Sequence, residues 1–153
     1  MLNKKKLIEY IEKGIKSDAE LKIGTEHEKF ILNTSTLKPL SYDEKNGIRD
    51  VFLSLIELGW KPTYEGKNNT IVGLENGQQN ISLEPAGQLE LSGQPLENIH
   101  QICDEITNHL NQMKQLSVKH NFMLLGMGVE PTLDLKDFPW MPKERYTIMR
   151  EYM

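Results

Sequence analysis

The sequence predicts an α+β fold, an antiparallel sheet with packed helices. Two observations point to the sheet. The stretch Ile81–Gly93, ISLEPAGQLELSG, alternates apolar and polar residues on both sides of Pro85-Ala86-Gly87, the pattern of half-buried strands. Just upstream, Asn76-Gly77 is a dipeptide suited to a tight hairpin turn, which joins antiparallel neighbours. The third observation concerns helices. Residues 41–59 and 95–119 carry apolar residues at three- and four-residue spacing, the stripe of a helix resting on a core.

Taken in order, residues 3–16 predict a first helix, with Leu7, Ile8, Ile11 and Ile15 on one stripe and Asn3 as its cap. Leu21–Ile31 predicts a strand. Glu26 and Glu28 project from one face of it, while Ile23, His27 and Ile31 lie on the other. Asn33–Pro39 is turn-rich. Ser41, with Glu44 at capping-box spacing, predicts the start of a second helix. Ile48, Val51, Phe52, Leu55 and Leu58 form its stripe, and Gly59 stops it. Short strands are expected around Trp60 and around Ile71-Val72, followed by Gln79–Glu84 after the Asn-Gly turn. Proline removes a ladder donor and glycine permits positive φ, so a bulge or tight corner is expected at Pro85-Ala86-Gly87. If the corner keeps the alternation, Ile81, Leu83, Leu89 and Leu91 share an apolar face, and Ser82, Glu84, Gln88, Glu90 and Ser92 a polar one. A long helix from Pro95 to Lys119 presents Leu96, Ile99, Ile102, Cys103, Ile106, Leu110, Met113 and Leu116. Phe122–Val129 predicts a buried strand, 134–142 a loop with two prolines, and Lys143–Met153 a last helix carrying Tyr146, Ile148, Met149 and Tyr152 in pattern. That helix shows no stop signal, which predicts that residues 1–153 are the N-terminal part of a single, longer domain.

With 153 residues, 38% apolar and 26% charged, the chain fits one ordinary acid-leaning globule. A net charge of −4 leaves no electrostatic footprint for nucleic acid, and Lys4-Lys5-Lys6 is a short run on a helix face. No apolar run is long enough to span a bilayer and no signal-peptide pattern opens the chain. A single cysteine, Cys103, cannot form an internal disulfide and sits on the apolar stripe of the long helix, where a small core residue is the ordinary reading. Together these features predict a cytoplasmic protein.

Glu26, Glu28, Glu84 and Glu90 are the candidates for chemistry. Carboxylates crowded on strand faces repel one another unless a cation joins them. Magnesium or manganese answers this, because hard cations take oxygen ligands and magnesium needs only one or two carboxylates besides substrate phosphates. A solvated polar face is the bland alternative, and each acidic pair alone is weak evidence. His27 between two glutamates is no zinc signature. Gln88 suits a hydrogen bond to a carboxylate or ribose. Lys143, Arg145 and Arg150 suit phosphate or carboxylate, with a charged helix face as the alternative, favoured for Arg150.

Three ordered blocks carry a resemblance: IGTEHEKF (Ile23–Phe30), ISLEPAGQLELSG followed by PLENIHQ (Pro95–Gln101), and MPKERYTIMREYM (Met141–Met153). The chain resembles the plant and proteobacterial class of glutamate–cysteine ligase over essentially its whole length. The resemblance implies ATP-dependent joining of the γ-carboxyl of glutamate to the amino group of cysteine through an acyl phosphate, the first step of glutathione synthesis. It implies a sheet like that of the glutamine synthetase catalytic domain, with ATP and magnesium on the concave face. It also implies metal-binding roles for Glu26, Glu28, Glu84 and Glu90, nucleotide or substrate contact for Gln88 and Lys143, and a catalytic role for Arg145. The expected partners are L-glutamate, L-cysteine, ATP and the missing C-terminal part of the same domain. Another amine in place of cysteine, or a nucleotide-binding piece without turnover, stays open. EPAG stands where the family more often has EPGG, which puts in doubt any need for positive φ at Ala86. Plant members are redox-regulated through disulfides, but Cys103 has no partner in this chain and no switch is assigned.

Overall fold

The computed structural model describes residues 2–131 and 133–152. Among them a six-stranded, wholly antiparallel sheet runs in the order β2-β3-β4-β5-β1-β6. The strands are β1 (Glu26–Asn33), β2 (Lys61–Glu65), β3 (Thr70–Asn76), β4 (Gln79–Leu83), β5 (Gln88–Ser92) and β6 (Phe122–Leu125). Four α-helices accompany it: α1 (Lys4–Glu12), α2 (Ile48–Glu57), α3 (Ile99–His120) and α4 (Glu144–Tyr152). The α+β class and the antiparallel sheet expected from the sequence are therefore present.

One face of the sheet meets α2 and α3. Ile31, Leu74, Ile81, Leu83, Leu89 and Leu91 join Ile48, Val51, Phe52 and Leu55 of α2 and Met113 and Leu116 of α3 in one buried cluster. Each large side chain fully removed from water there contributes about 1.5–3 kcal/mol of transfer free energy. Tyr42 closes the cluster near β3, its hydroxyl donating to Ile71 O at 2.6 Å.

The hairpin positions follow the predicted alternation. Ser82 pairs with Glu90 and Leu83 with Leu89, so Pro85-Ala86-Gly87 reverses the chain and keeps its parity. Gly87 N donates to Glu84 O at 2.9 Å, and Glu84 N to Gln88 O at 2.9 Å. Gly87, at φ +83°, is the residue that needs the left-handed region, and Ala86 is not among the positive-φ residues. That explains why alanine is accepted at 86.

Several boundaries differ from expectation, each for a local reason. Asn3 caps α1 by accepting from Lys6 N at 3.0 Å, but the helix ends at Glu12 and buries no residue, leaving Leu7, Ile8, Ile11 and Ile15 exposed. Ser41 N does reach Glu44 Oε1 at 2.6 Å, yet this closes a turn, and α2 starts seven residues beyond Ser41, capped by Gly47. The turn folds back so that Ile48 N donates to Ser41 O, and a Cβ at Gly47 would lie 2.4 Å from that oxygen. Residues 21–25 do not extend β1 but make one bridge, Ile23 with Leu96. The same bridge keeps Leu96 out of α3, which begins at Ile99 under an Asn98 cap. Trp60 lies before β2, buried, with its indole N–H on Gln112 Oε1 at 3.2 Å.

The buried positions of α3 are Ile102, Glu105, His109, Met113, Leu116 and His120. The core-facing stripe thus includes three polar residues, while Cys103, expected inside, is exposed, as are Ile99 and Leu110. Leu58 of the α2 stripe, and Ile148, Met149 and Tyr152 of α4, are also exposed.

Glu105 organises the junction beneath β1 and β5. Its carboxylate accepts from Gln79 Nε2 at 2.7 Å, Gln94 N at 3.0 Å and Thr25 Oγ1 at 3.5 Å, so one buried side chain ties the start of β4, the exit of β5 and the residue before β1. The chain passes so close at Gly93 that a Cβ would lie 2.2 Å from Glu105 Oε1 and 2.8 Å from Thr25 Oγ1. One turn along the helix, His109 is buried, its Nδ1 has no hydrogen-bond partner, and burial, with the charges of His27 and Lys29, pushes its pKa down to about 4.

Two outcomes are expected. Gly93→Ala should lower stability by about 1–3 kcal/mol, the usual range for an overpacked site, measured by urea unfolding; an unchanged midpoint would remove the close approach as a constraint. His109 stays neutral in the folded chain below the pH at which it protonates in the unfolded one. Its stabilising effect is therefore present above the ordinary value of 6.5 and is lost as pH falls toward about 4, by up to about 1.4 kcal/mol per pH unit. His109→Gln should flatten the stability profile across that window, and an identical slope in both proteins would place the acid sensitivity elsewhere.

Candidate functional site

The face of the sheet turned away from α2 and α3 is polar. On β1 it carries Glu26 and Glu28, on β5 Gln88, Glu90 and Ser92, and on β4 Asn80 and Ser82, because these residues stand opposite one another in register: Glu26 with Ser92, Glu28 with Glu90, Ser82 with Glu90. His27 and Lys29 point to the helix side, opposite Leu91 and Leu89, with Lys29 Nζ 3.2 Å from His27 Nδ1. Burial, followed by the Lys29 charge, lowers the His27 pKa. The glutamates thus sit on one side of β1 and basic groups on the other.

Glu90 is half-buried, and both of its oxygens are engaged. Ser92 Oγ donates to Oε1 at 2.8 Å and Ser82 Oγ to Oε2 at 3.3 Å. Glu84, half-buried on the same face, has its pKa raised, first by burial and then by the hydrogen bond and charge of Glu90; Arg145 and Lys143 oppose the shift. The Arg145 guanidinium lies 3.7 Å from Glu84 Oε1.

Two of these cations reach the site through α4 and the turn before it. Lys143 Nζ donates to Leu83 O at 2.8 Å. Its pKa is lowered, mainly by burial and then by Arg145, against the pull of Glu84, Glu90 and Glu65. Tyr146 is a further site residue that helical periodicity reads only as part of an apolar stripe. Its buried hydroxyl donates to Leu83 O and accepts from Arg145 at 2.9 Å. The Arg145 guanidinium also lies over the Tyr146 ring, 4.9 Å from its centre, a cation–π arrangement. Met141 N on Pro85 O at 3.2 Å and Glu144 N on Glu65 Oε2 at 3.1 Å dock the segment against the β4–β5 turn and the end of β2.

The predicted residues therefore fall into two neighbouring groups. Glu84, Glu90, Lys143 and Arg145 form a charge cluster at the β4–β5 hairpin. Glu26, Glu28 and Gln88 line a hollow of about 280 Å³ together with His27 and Lys29, walled by Gly126–Gly128. The Glu28–Glu90 register pair links them. Among the described residues no three acidic, histidine or cysteine side chains converge on one point as a ready metal site. Beside the hollow, and sharing Gly128 with it, lies an apolar cleft of about 550 Å³. No local pattern announces this cleft, since Phe30, Ala86 and the Phe138–Trp140 stretch, which line it, are distant from one another along the chain.

The family described as Glutamate-cysteine ligase family 2 (GCS2) matches residues 22–153. Similar proteins include glutamate–cysteine ligase, chloroplastic, of Nicotiana tabacum, 46% identical over 156 residues, covering 99% of this chain and 28% of the relative. Glutamate–cysteine ligase A, chloroplastic, of Oryza sativa subsp. japonica is 46% identical over 153 residues, with 99% and 30% covered. The Arabidopsis thaliana ligase, also named chloroplastic, is 44% identical over 156 residues, with 99% and 28% covered. The chain spans under a third of the length of these relatives. Their names correct the expectation of a cytoplasmic location. A lone thiol fits any reducing compartment and does not single out the cytoplasm.

Because the Glu84 pKa is raised, the folded chain holds a proton there that the unfolded chain has already released. The associated stability is present below the ordinary carboxylate value and is lost as pH rises through the folded value. Glu84→Gln should therefore gain stability over the parent at pH 7 relative to pH 4, compared by urea unfolding. An equal difference at both pH values would contradict a raised Glu84 pKa.

Proposed function

The chain belongs to glutamate–cysteine ligase family 2, and from that premise we propose that it carries part of the site for ATP-dependent joining of L-glutamate to L-cysteine, the first step of glutathione biosynthesis. The observation that carries this reading is the meeting of the two acidic strands on one polar face, with Glu28 opposite Glu90. The sheet, on this reading, belongs to a glutamine synthetase-like catalytic fold.

The chemistry asks for such a face. A γ-carboxylate oxygen attacks the γ-phosphorus of ATP, the bond to the β-phosphate oxygen breaks, and ADP leaves. The nitrogen of cysteine then attacks the acyl carbon, the carbon–oxygen bond breaks, inorganic phosphate leaves with the electron pair, and the amine gives up a proton. Bringing anionic glutamate to anionic ATP requires cations.

Glu26, Glu28, Glu84 and Glu90 would hold magnesium, or manganese. The donors are all hard oxygens, and Glu84, its pKa raised first by burial and then by Glu90, stands beside a second carboxylate whose charge a divalent ion would offset. Bound there, the ion would neutralise phosphate charge and polarise the transferring group. Arg145 and Lys143 add fixed positive charge at the hairpin, Arg145 held by Tyr146 and Lys143 by the Leu83 carbonyl. Gln88, on the wall of the hollow, would orient a substrate carboxylate or ribose by hydrogen bonds.

The test uses the protein of the whole coding region, with phosphate release measured against magnesium, glutamate and cysteine. Release should require all three and ATP. Glu28→Gln should lower kcat/KM at least about tenfold, the loss that even an outer partner of a metal ligand can cause, and should raise the magnesium needed for half-maximal rate while circular dichroism stays the same. Unchanged magnesium dependence in both Glu26→Gln and Glu28→Gln would take these residues out of the metal site. Release only with a different amine would change the substrate, and nucleotide binding without release would leave a binding module.

A further inference from the structure

We propose that Glu65, the last residue of β2, is a positioning residue for Arg145: it fixes where α4 begins, and so where the guanidinium stands beside the β4–β5 hairpin. The inference rests on the ligase reading above, which gives Arg145 its task. β2 is an edge strand, and Glu65 pairs there with Thr70 of β3. Its carboxylate leaves the sheet and accepts from Glu144 N at 3.1 Å. Glu144 is the first residue of α4, where backbone N–H groups have no partner inside the helix. A carboxylate at that place satisfies a donor and faces the positive end of the helix dipole.

Apolar packing does little to fix this helix. Tyr146 is its one buried residue among those described, and Ile148, Met149 and Tyr152 are exposed. Polar tethers at the first turn take over, and they come from two places. Lys143 Nζ and the Tyr146 hydroxyl reach Leu83 O, and Met141 N reaches Pro85 O, all at the β4–β5 hairpin. Glu65 supplies the tether from the sheet edge, two strands away from β4. The turn after it follows the same path: a Cβ at Gly66 would stand 3.6 Å from Glu144 Oε1. Without Glu65 the helix start is anchored on the hairpin side alone and can pivot about Leu83 O. Arg145 directly follows the tethered amide, so a pivot moves its guanidinium relative to Glu84 Oε1, 3.7 Å away. Tyr146 holds the guanidinium end of this side chain, and Glu65 holds the backbone end.

Two variants of the whole-coding-region protein test this. Glu65→Ala removes the acceptor, and Glu65→Gln keeps an oxygen for Glu144 N without the charge. Amide exchange over the first turn of α4, followed by mass spectrometry, should quicken about tenfold in Glu65→Ala and stay within about threefold of the parent in Glu65→Gln. For phosphate release with glutamate, cysteine and ATP, kcat should fall about tenfold in Glu65→Ala, the scale of a slightly misplaced group, and recover to within about threefold in Glu65→Gln. In an Arg145→Gln background, Glu65→Ala should lower kcat by less than about twofold more, because the residue it positions is gone. Unchanged exchange or unchanged kcat in Glu65→Ala, equal losses in the two variants, or a full further loss in the Arg145→Gln background would each overturn the proposal. A parent protein that releases no phosphate with these substrates would instead overturn the ligase reading, and the exchange comparison would still decide whether Glu65 holds α4.

Discussion

The polar face depends on how β1 lies against β5, and that register is secured from below by one buried carboxylate. Glu105 receives hydrogen bonds from Gln79 Nε2, Gln94 N and Thr25 Oγ1. These groups belong to the first residue of β4, the exit of β5 and the approach to β1. A slip of one residue would send Glu26 and Glu28 to the helix side and His27 to the polar side. A buried carboxylate left short of donors is costly, so the three donors and the carboxylate enforce one another. Gly93 allows this convergence, since any side chain there would occupy the space of the carboxylate.

Above the sheet, the electrostatics are arranged by opposition. Glu84 and Glu90 crowd each other on the hairpin, and the segment from Met141 to Tyr146 brings Lys143 and Arg145 against them. Backbone carbonyls and a phenol do the positioning: Leu83 O receives both Lys143 and Tyr146, and Tyr146 in turn holds Arg145. The cations are thus positioned by neutral groups, while Glu84 and Glu90 beside them partly offset their charge. A partly exposed ion pair such as Arg145–Glu84 adds little to stability, and its significance lies in the charge it places beside the acidic rows.

Two different environments adjoin beyond the edge of β1. The acidic hollow and the apolar cleft meet at Gly128. The first mixes the carboxylates of Glu26 and Glu28 with His27 and Lys29, and the second is largely apolar. Their common wall is Gly128, in the segment following β6.

What the sequence determined by itself is local and periodic. Alternation along Ile81–Leu83 and Leu89–Leu91 placed the leucines inside and the glutamates outside, because a strand's side chains have a period of two. The α2 stripe from Ile48 to Leu55 was legible because apolar residues recur at helical spacing. The Asn76-Gly77 turn was legible because few dipeptides accept its backbone. What only tertiary structure decided are the polar residues that face inward and the contacts between distant segments. Glu105 and His109 stand on the buried side of α3, where a hydrophobic pattern reads them as solvent-facing, and Cys103 and Leu110, read as core, face out. Tyr146 becomes a positioning group only when α4 reaches Leu83, and the cleft exists only when Phe30, Ala86 and Trp140 come together. Periodicity reports which face of an element avoids water. It is silent on which distant donor satisfies a buried polar group, because that depends on where the other elements pack.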